Sequence, residues 1–201
     1  MIQSKSDLNE YIIADLKSLG MYPLPFKMKI HAFFHPEIWK FQKKLRTTEY
    51  LKNCKQKSAF QKIVYKLHYL DFVKYGYKLG FTIPLNVCGP GLCICHIGTI
   101  IINEQAKIGL NARIHAGVNI GNSSKLGEKW SGDNVPNIGD NVYLGPGAKL
   151  FGKIVIGNNV AVGANAVVNK DVPDNVTVAG VPAHIINHNG SQGMIVYGWK
   201  K

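Results

Sequence analysis

The second half of the sequence repeats every six residues. An Ile, Leu or Val recurs at every sixth position from Ile108 to Ile120 and again from Ile138 to Val168. Gly follows six of these nine leading residues, and an apolar residue stands four places after eight of them. A period of six fits neither face of an α-helix, which repeats every 3.6 residues. The period predicts a parallel β-helix in which three hexads form one triangular coil and the leading residues point inward.

The period is interrupted once, by a polar segment. Eighteen residues separate Ile120 from Ile138, where six would suffice, and residues 122–137 read NSSKLGEKWSGDNVPN. We expect a loop that leaves one corner of the prism. Loops on rigid scaffolds commonly carry binding residues, although a purely structural excursion is the alternative.

Residues 1–79 differ in character and predict helices. The first helix is expected to begin at Ser6 and Asp7, the second to span about residues 36–46, and the third to run from about residue 48 to Leu79. The third is so rich in apolar residues that we expect it to pack against neighbours. Residues 1–80 carry 15 Lys/Arg against 6 Asp/Glu. This charge fits a solvated basic surface or peripheral contact with an anionic membrane. No nucleic-acid-binding motif accompanies it, so we expect no nucleic acid partner.

Composition excludes several other classes. The 201 residues contain no run of eighteen apolar residues, and charges interrupt the N-terminal segment, so neither a membrane span nor a secretory signal is expected. The four cysteines lack the spacing of metal ligands. We expect reduced cysteines, a cytoplasmic protein and no metal.

Several motifs resemble a known family. The hexads, the loop and the ending VAGVPA at residues 178–183 resemble the left-handed β-helix acyltransferases. The run GPGLCICHIGTIIINEQA at residues 89–106 resembles the serine acetyltransferase branch. The resemblance implies a mainly β chain with a helical segment at 1–79, a left-handed parallel β-helix of about five coils at 80–187, and a tail at 188–201. It also implies a homotrimer, in some relatives paired into a hexamer, that uses acetyl-CoA.

The same resemblance implies catalytic residues. The general base of the branch falls on His96. An imidazole suits this role, since it can take a proton from a hydroxyl near neutral pH. His115 lies about one coil further along, where it can assist the base or line the donor channel, or simply occupy a corner. Glu104 matches a Glu of the family and is a weaker candidate for orienting an imidazole.

This sequence also departs from the branch. Cys95 replaces the Asp before the base, and Phe81 stands where the branch has an orienting carboxylate. Asn134, Val135 and Pro136 replace the Arg-His-Pro run that holds the serine carboxylate. A covalent route through Cys95 is a rival, but neighbouring strand residues point to opposite faces, so we do not expect Cys95 and His96 to pair.

The lost clamp shifts the expected acceptor from serine to a sugar hydroxyl. The lead-in GFTIPLN at residues 80–86 is typical of similar chains associated with capsule or other surface-polysaccharide synthesis. Trp130 suits stacking on a sugar, and we expect hydrogen bonds to the acceptor from Asn86, Asp133 and Asn134.

For the donor, the resemblance implies a groove between neighbouring prisms. Gly121 and Asn122 match positions near the thioester, where a backbone N–H can stabilise the oxyanion. The remaining donor-binding candidates match positions that line the pantetheine arm or meet the phosphates; they are Gly145, Pro146, Gly147, Ala164, Ala166 and Lys170.

We therefore predict an O-acetyltransferase that moves acetyl from acetyl-CoA to a sugar hydroxyl in surface-polysaccharide synthesis. The alternatives are a serine O-acetyltransferase of cysteine biosynthesis and a non-catalytic β-helix that serves binding or assembly.

Overall fold

The computed structural model describes residues 1–22, 36–55, 58–123 and 134–199. Three helices come first within these ranges: α1 (Lys5–Ser18), α2 (Pro36–Cys54) and α3 (Ala59–Leu79). The predicted start of α1 at Ser6 was wrong by one residue, because Ser4 is the N-cap and its side chain accepts a hydrogen bond from the Asp7 amide.

The predicted boundary between the second and third helices was also wrong. Helix α2 continues to Cys54, and the Thr48 hydroxyl donates to the Lys44 carbonyl, so Thr48 lies inside a helix and does not begin one. The new helix starts after Ser58, which forms a reciprocal capping box with Gln61. Gly80 then ends α3 in the left-handed conformation, with φ 80°.

Fourteen short strands follow α3 in the described residues. They are β1 (Phe81–Thr82), β2 (Cys93–Ile94), β3 (Ile100–Ile102), β4 (Lys107–Ile108), β5 (Arg113–Ile114), β6 (Asn119–Gly121), β7 (Asn137–Ile138), β8 (Tyr143–Leu144), β9 (Lys149–Phe151), β10 (Val155–Ile156), β11 (Ala161–Val162), β12 (Val167–Val168), β13 (Thr177–Gly180) and β14 (Ala183–Asn187).

The strands form the three faces of a prism. Face 1 contains β1, β3, β6, β9 and β12, face 2 contains β4, β7 and β10, and face 3 contains β2, β5, β8, β11, β13 and β14. Pairing is parallel throughout, apart from the antiparallel hairpin of β13 and β14. Five strands stack on face 1, which confirms a mainly β chain with a parallel β-helix of about five coils behind an N-terminal helical segment.

The period of six correctly identified the interior. All nine leading residues, from Ile108 to Val168, are at most 4% exposed. The described residues four places further on are also buried, because both positions of each hexad point into the prism. One consequence corrects a prediction: Ala166 is 0% exposed and lies in the core, so its side chain cannot line a surface groove.

The three corners of the prism differ in composition. The corner between faces 3 and 1 carries both candidate histidines, and we call it the histidine corner (residues 95–99, 115–117, 145–147 and 163–165). The corner between faces 1 and 2 carries both ends of the segment that interrupts the period, and we call it the loop corner (residues 103–105, 121–123, 134–136, 152–154 and 169–171). The third, between faces 2 and 3, is the asparagine corner. There Asn111, Asn141, Asn159 and Asn175 adopt φ values of 54–61° and link their side-chain amides at 2.9 Å.

A buried ionic network fastens the helices to the first coil. Arg46 of α2 donates to both carboxylate oxygens of Asp15 in α1 and to the carbonyls of Cys88 and Gly89. Glu49 accepts a further hydrogen bond from Arg46 at 3.1 Å. Burial alone would lower the pKa of Arg46, but the charges of Asp15 and Glu49 raise it, so the guanidinium stays charged.

Helix α3 does not pack along its whole apolar surface within this chain. Phe72 and Leu79 are buried against α2 and β1. The prediction that the remaining apolar residues pack against neighbours is wrong within this chain, since five of them are more than half exposed: Phe60, Ile63, Leu67, Leu70 and Tyr77. None of the helices in the described part of the chain is long and apolar enough to span a bilayer.

The segment after β14 returns along face 3. The Ser191 hydroxyl donates to the Asn141 carbonyl, and the Trp199 backbone exchanges two hydrogen bonds with the Asn111 side chain. This C-terminal tail therefore covers part of the outer surface of face 3.

Candidate active site at the histidine corner

His96 lies on an enlarged corner. From Ile94 to Ile102 the chain takes eight residues to pass from face 3 to face 1, whereas from Ile114 to Ile120 it takes six. The two additional residues push His96 and Ile97 outward, and both are exposed. The corner thus presents the predicted general base at the protein surface.

His96 borders a cavity of about 390 Å³ on the outer surface of face 3. The end of α1, Ile38 of α2 and the C-terminal tail form its other walls. The lining residues are Ser18, Leu19, Gly20, Met21, Ile38, Cys93, Ile94, Cys95, His96, Arg113 and Val196.

His115 is the immediate neighbour of His96. The two ring centroids are 5.7 Å apart, and the Tyr143 ring lies 5.1 Å beyond His115. The prediction that the two histidines are close is confirmed. Burial lowers the pKa of His115, and the charges of Arg113 and His96 lower it further. Its Nε2 atom is buried without a hydrogen-bond partner. His115 is therefore neutral at pH 7 and has an unused ring nitrogen.

Cys95 and Arg113 form a polar contact inside the cavity. Arg113 Nε donates to Cys95 Sγ at 3.2 Å, and Arg113 Nη1 donates to the Met194 carbonyl of the tail. A hydrogen bond from the Cys93 thiol, together with the Arg113 hydrogen bond and charge and the charge of His96, lowers the pKa of Cys95 below that of a free thiol. These contacts favour the ionised form of this sulfur.

The cavity corrects the argument that separated Cys95 from His96. Strand β2 ends at Ile94, so the alternation of strand side chains does not extend to this pair. Both residues line the same cavity. Sequence reasoning missed Arg113 altogether, although its pairing partner in the neighbouring coil, Cys93, belongs to the quoted motif.

Four of the donor-binding candidates share the histidine corner. Gly145, Pro146 and Gly147 follow His115 in the next coil, and Ala164 follows in the coil after that. Backbone hydrogen bonds from Gly147 N to Ala116 O and from Asn165 N to Pro146 O stack these coils at 2.9 and 2.8 Å. A Cβ atom on Gly145 would lie 2.8 Å from the Val162 carbonyl, so a larger side chain does not fit at position 145.

The other donor-binding candidates lie across face 1, at the loop corner. Gly121 ends β6 and accepts a hydrogen bond from the Gly152 amide, with Asn122 directly after it. Lys170 is exposed two residues after β12. Face 1 thus has small residues and both histidines along one border and Gly121, Asn122 and Lys170 along the other.

Of the predicted acceptor-binding residues, the two that the structure describes, Asn86 and Asn134, do not line the His96 cavity. Asn86 exchanges two side-chain hydrogen bonds with Asn53 of α2. Asn134 closes the neck of the loop, because it donates to the Ser123 carbonyl and accepts from the Lys153 amide. Trp130 and Asp133 lie outside the described residues.

Phe81 and Glu104 are the two positions at which the resemblance suggests a carboxylate that orients an imidazole. The Phe81 ring packs 5.0 Å from Phe41 in the core, so an apolar cluster occupies the place expected for a carboxylate. Glu104 lines a different groove, beside Lys52 and Gln105 beneath α2 and α3, and is not among the residues that line the His96 cavity.

Among the described side chains, no three His, Cys, Asp or Glu groups converge as a metal site.

Comparison with known proteins identifies the repeat. Residues 136–170 match the family described as bacterial transferase hexapeptide (six repeats). This part of the β-helix is therefore similar to the hexapeptide-repeat transferases. A serine acetyltransferase of Staphylococcus aureus is 43% identical over 102 residues, which are 51% of this chain and 46% of that protein. The corresponding protein of Staphylococcus xylosus is also 43% identical over 102 residues, which are 45% of its length. The chain thus spans about half the length of these relatives.

Solved structures of hexapeptide-repeat transferases extend the similarity to the helical segment. The serine acetyltransferase of Neisseria gonorrhoeae superposes with a TM-score of 0.69 and 27% identity, covering 93% of this chain and 69% of that one. The Brucella abortus enzyme in complex with coenzyme A gives a TM-score of 0.65 and 28% identity, covering 91% and 67%.

Proposed function

We propose that this chain transfers acetyl from acetyl-CoA to a hydroxyl group, with His96 as the general base. The observation that carries the proposal is the placement of His96. It stands exposed on an enlarged corner, beside a cavity and at the border of face 1, in a β-helix related to serine acetyltransferases.

His96 would act on the acceptor hydroxyl. The imidazole takes the hydroxyl proton as the oxygen attacks the thioester carbonyl, and the same proton then neutralises the departing coenzyme A thiolate. His115 is partly buried, and its lowered pKa keeps it from adding a competing positive charge at pH 7.

Serine is the acceptor we now favour. The relatives are named serine acetyltransferases, and Arg113 supplies a guanidinium in the cavity beside His96. The Arg-His run that holds the serine carboxylate in the branch is missing here. Arg113, on strand β5, nevertheless provides a positive charge that can attract a carboxylate. A sugar hydroxyl is the second candidate, since Asn134 is committed to the neck of the loop and cannot replace the missing clamp.

The donor would lie along face 1. The small residues of the histidine corner leave room for an extended arm, and Lys170 offers a charge to the phosphates at the opposite border. A groove of this kind needs a second wall, so we propose a homotrimer in which a neighbouring prism provides it. The support is the relation to a transferase whose structure holds coenzyme A.

Peripheral contact of the helical segment with an anionic membrane stays a prediction. Helix α3 exposes Phe60, Ile63, Leu67 and Leu70 beside Lys62 and Lys66. Binding to anionic but not neutral vesicles, measured by sedimentation, would support it, and equal recovery with both would not.

The deciding experiment measures thiol release from acetyl-CoA by the purified full chain. L-serine, a panel of sugars and a panel of nucleotide-sugars are tested in parallel, with L-alanine as the matched acceptor that lacks a hydroxyl. Release with serine and not alanine supports the favoured acceptor, and release with a sugar alone supports the second candidate. If no acceptor works and calorimetry detects no coenzyme A binding, the proposal is wrong and the non-catalytic alternative holds.

A further inference from the structure

The cavity beside His96 contains a second reactive group that the proposed transfer does not use. Cys93 and Cys95 both line the cavity, and Cys95 is partly exposed within it. The cavity is large enough to hold a small molecule next to this sulfur.

The surroundings of Cys95 favour its ionised form. Arg113 of β5 faces its sulfur at 3.2 Å, and Cys93 and His96 are the other titratable groups beside it. Among the described residues, no acidic side chain lines the cavity, and the walls contributed by α1, α2 and the tail are uncharged: Ser18, Leu19, Gly20, Met21, Ile38 and Val196. A thiolate next to a guanidinium in a partly exposed cavity has the environment of reactive cysteines.

The other three cysteines lack this environment. Cys88 is buried, and burial raises the pKa of its thiol to about 12. The hydrogen bond to Cys95 and burial also raise the pKa of Cys93. Cys54 is partly buried, and its thiol donates to the Ile2 carbonyl at 3.9 Å. The contrast makes Cys54 a useful internal reference.

We propose that Cys95 is a modification site for low-molecular-weight disulfides, and that a mixed disulfide at Cys95 blocks acetyl transfer at the neighbouring His96. In this exchange the Cys95 thiolate attacks one sulfur of the disulfide. A new S–S bond forms to Cys95, the original S–S bond breaks, and the second half leaves as a thiolate that takes a proton from water. The adduct lies in the cavity, where it hinders acceptor approach to His96. The blocking step rests on the proposed function, whereas the reactivity of Cys95 does not.

The reactivity is tested with iodoacetamide, a neutral reagent that the positive charge of Arg113 does not attract. The intact chain and N-acetylcysteine are alkylated together at several pH values, and mass spectrometry of peptides gives the rate at each cysteine. At pH 6.5 Cys95 should react at least five-fold faster, relative to N-acetylcysteine, than at pH 8.5, which corresponds to a pKa one unit or more below the usual ~8.5 of a free thiol. The larger thiolate fraction of Cys95 at low pH produces this change.

The pH dependence separates thiolate stabilisation from simple exposure. Exposure alone would give a ratio of rates that does not change with pH, and that result would overturn the proposal, as would faster alkylation of Cys54 than of Cys95 at pH 6.5. Arg113→Gln should shift the midpoint of the Cys95 rate profile upward by one to two pH units, on the scale of a lost charge contact. Arg113→Lys keeps the charge and should shift it less.

The blocking step is tested with cystamine and then dithiothreitol. Treatment should remove at least nine-tenths of the thiol-release activity, and the reductant should restore it. Cys95→Ser should keep its own untreated rate after cystamine. If wild-type activity survives complete labelling of Cys95, the blocking step is wrong while the modification site stands. If no acceptor supports activity, the alkylation profile still decides the modification site.

Discussion

The imidazole rings of His96 and His115 lie 5.7 Å apart, although one belongs to an exposed corner and the other is partly buried beneath Tyr143. Two similar groups thus occupy different environments. The exposed ring can meet an acceptor, and the buried one holds the neighbouring surface in place. We expect them to contribute unequally to activity.

The first prediction concerns His96→Ala. The variant should lower turnover by roughly two to four orders of magnitude, which is the usual contribution of a general base. Coenzyme A affinity, measured by calorimetry, should change little because the imidazole acts on the acceptor. The matched control is His115→Asn, which we expect to retain far more activity. A wild-type rate in His96→Ala would rule out the proposed base.

The second prediction concerns the protonation of His115. Burial, Arg113 and His96 lower its pKa, so the charged form is disfavoured in the folded protein. The unfolded chain, in which this pKa is about 6.5, therefore binds the proton more readily than the folded protein does. The free energy of unfolding should be unaffected by His115 well above pH ~6.5 and should decrease as the pH falls toward ~5. NMR titration of the ring should give a midpoint below 6.5, and Arg113→Gln should raise it. A midpoint at or above 7 would contradict the assignment of a neutral ring.

The third prediction concerns the buried network around Arg46. Arg46→Met leaves the Asp15 and Glu49 carboxylates buried without their cation, which should reduce the free energy of unfolding by about 3–5 kcal/mol. The control is Lys44→Met. Lys44 pairs with Asp71 at the surface, and such exposed pairs contribute about 0–1 kcal/mol. Urea unfolding measures both. Equal losses would mean that the network does not hold the helices to the first coil.

The β-helix could be predicted from the sequence because its stacking has a strict local rule. Every coil must place the same kind of residue at the same position, so Ile108, Leu144 and Val168 report one environment in three coils. The helix boundaries were less accessible. Thr48 resembles a helix start, yet it forms a hydrogen bond to the Lys44 carbonyl, and only the reciprocal bonds of Ser58 and Gln61 mark the true start.

The candidate site was only partly predictable, because its contacts join different coils. The hexad period places residues 18 apart side by side, but the enlarged corner changes the offset, and Cys93 pairs with Arg113. The two-residue insertion shifts the register, so the backbone of Arg113 lies beside Cys93 while its side chain contacts Cys95, and His115 lies next to His96. The resemblance identified His96, whereas the repeat pattern specifies neither the corner length nor the direction of the Arg113 side chain.

The last prediction concerns the asparagine corner. Asn141 adopts φ 57° and forms side-chain hydrogen bonds with Asn111 and Asn159 at 2.9 Å. Asn141→Ala and Asn141→Gly both lose these bonds. Only alanine has a Cβ atom, which makes the left-handed backbone conformation unfavourable. We therefore expect the Ala variant to be less stable than the Gly variant, by about 1 kcal/mol in urea unfolding.

The matched control for Asn141 is Lys66, an exposed residue within α3. There the order should reverse, and Lys66→Gly should be about 1 kcal/mol less stable than Lys66→Ala, because glycine loses more backbone entropy in a right-handed helix. Opposite preferences at the two sites would attribute the Asn141 effect to backbone conformation. If Ala were favoured at both sites, the hydrogen bonds between the asparagine side chains would alone account for asparagine at this corner.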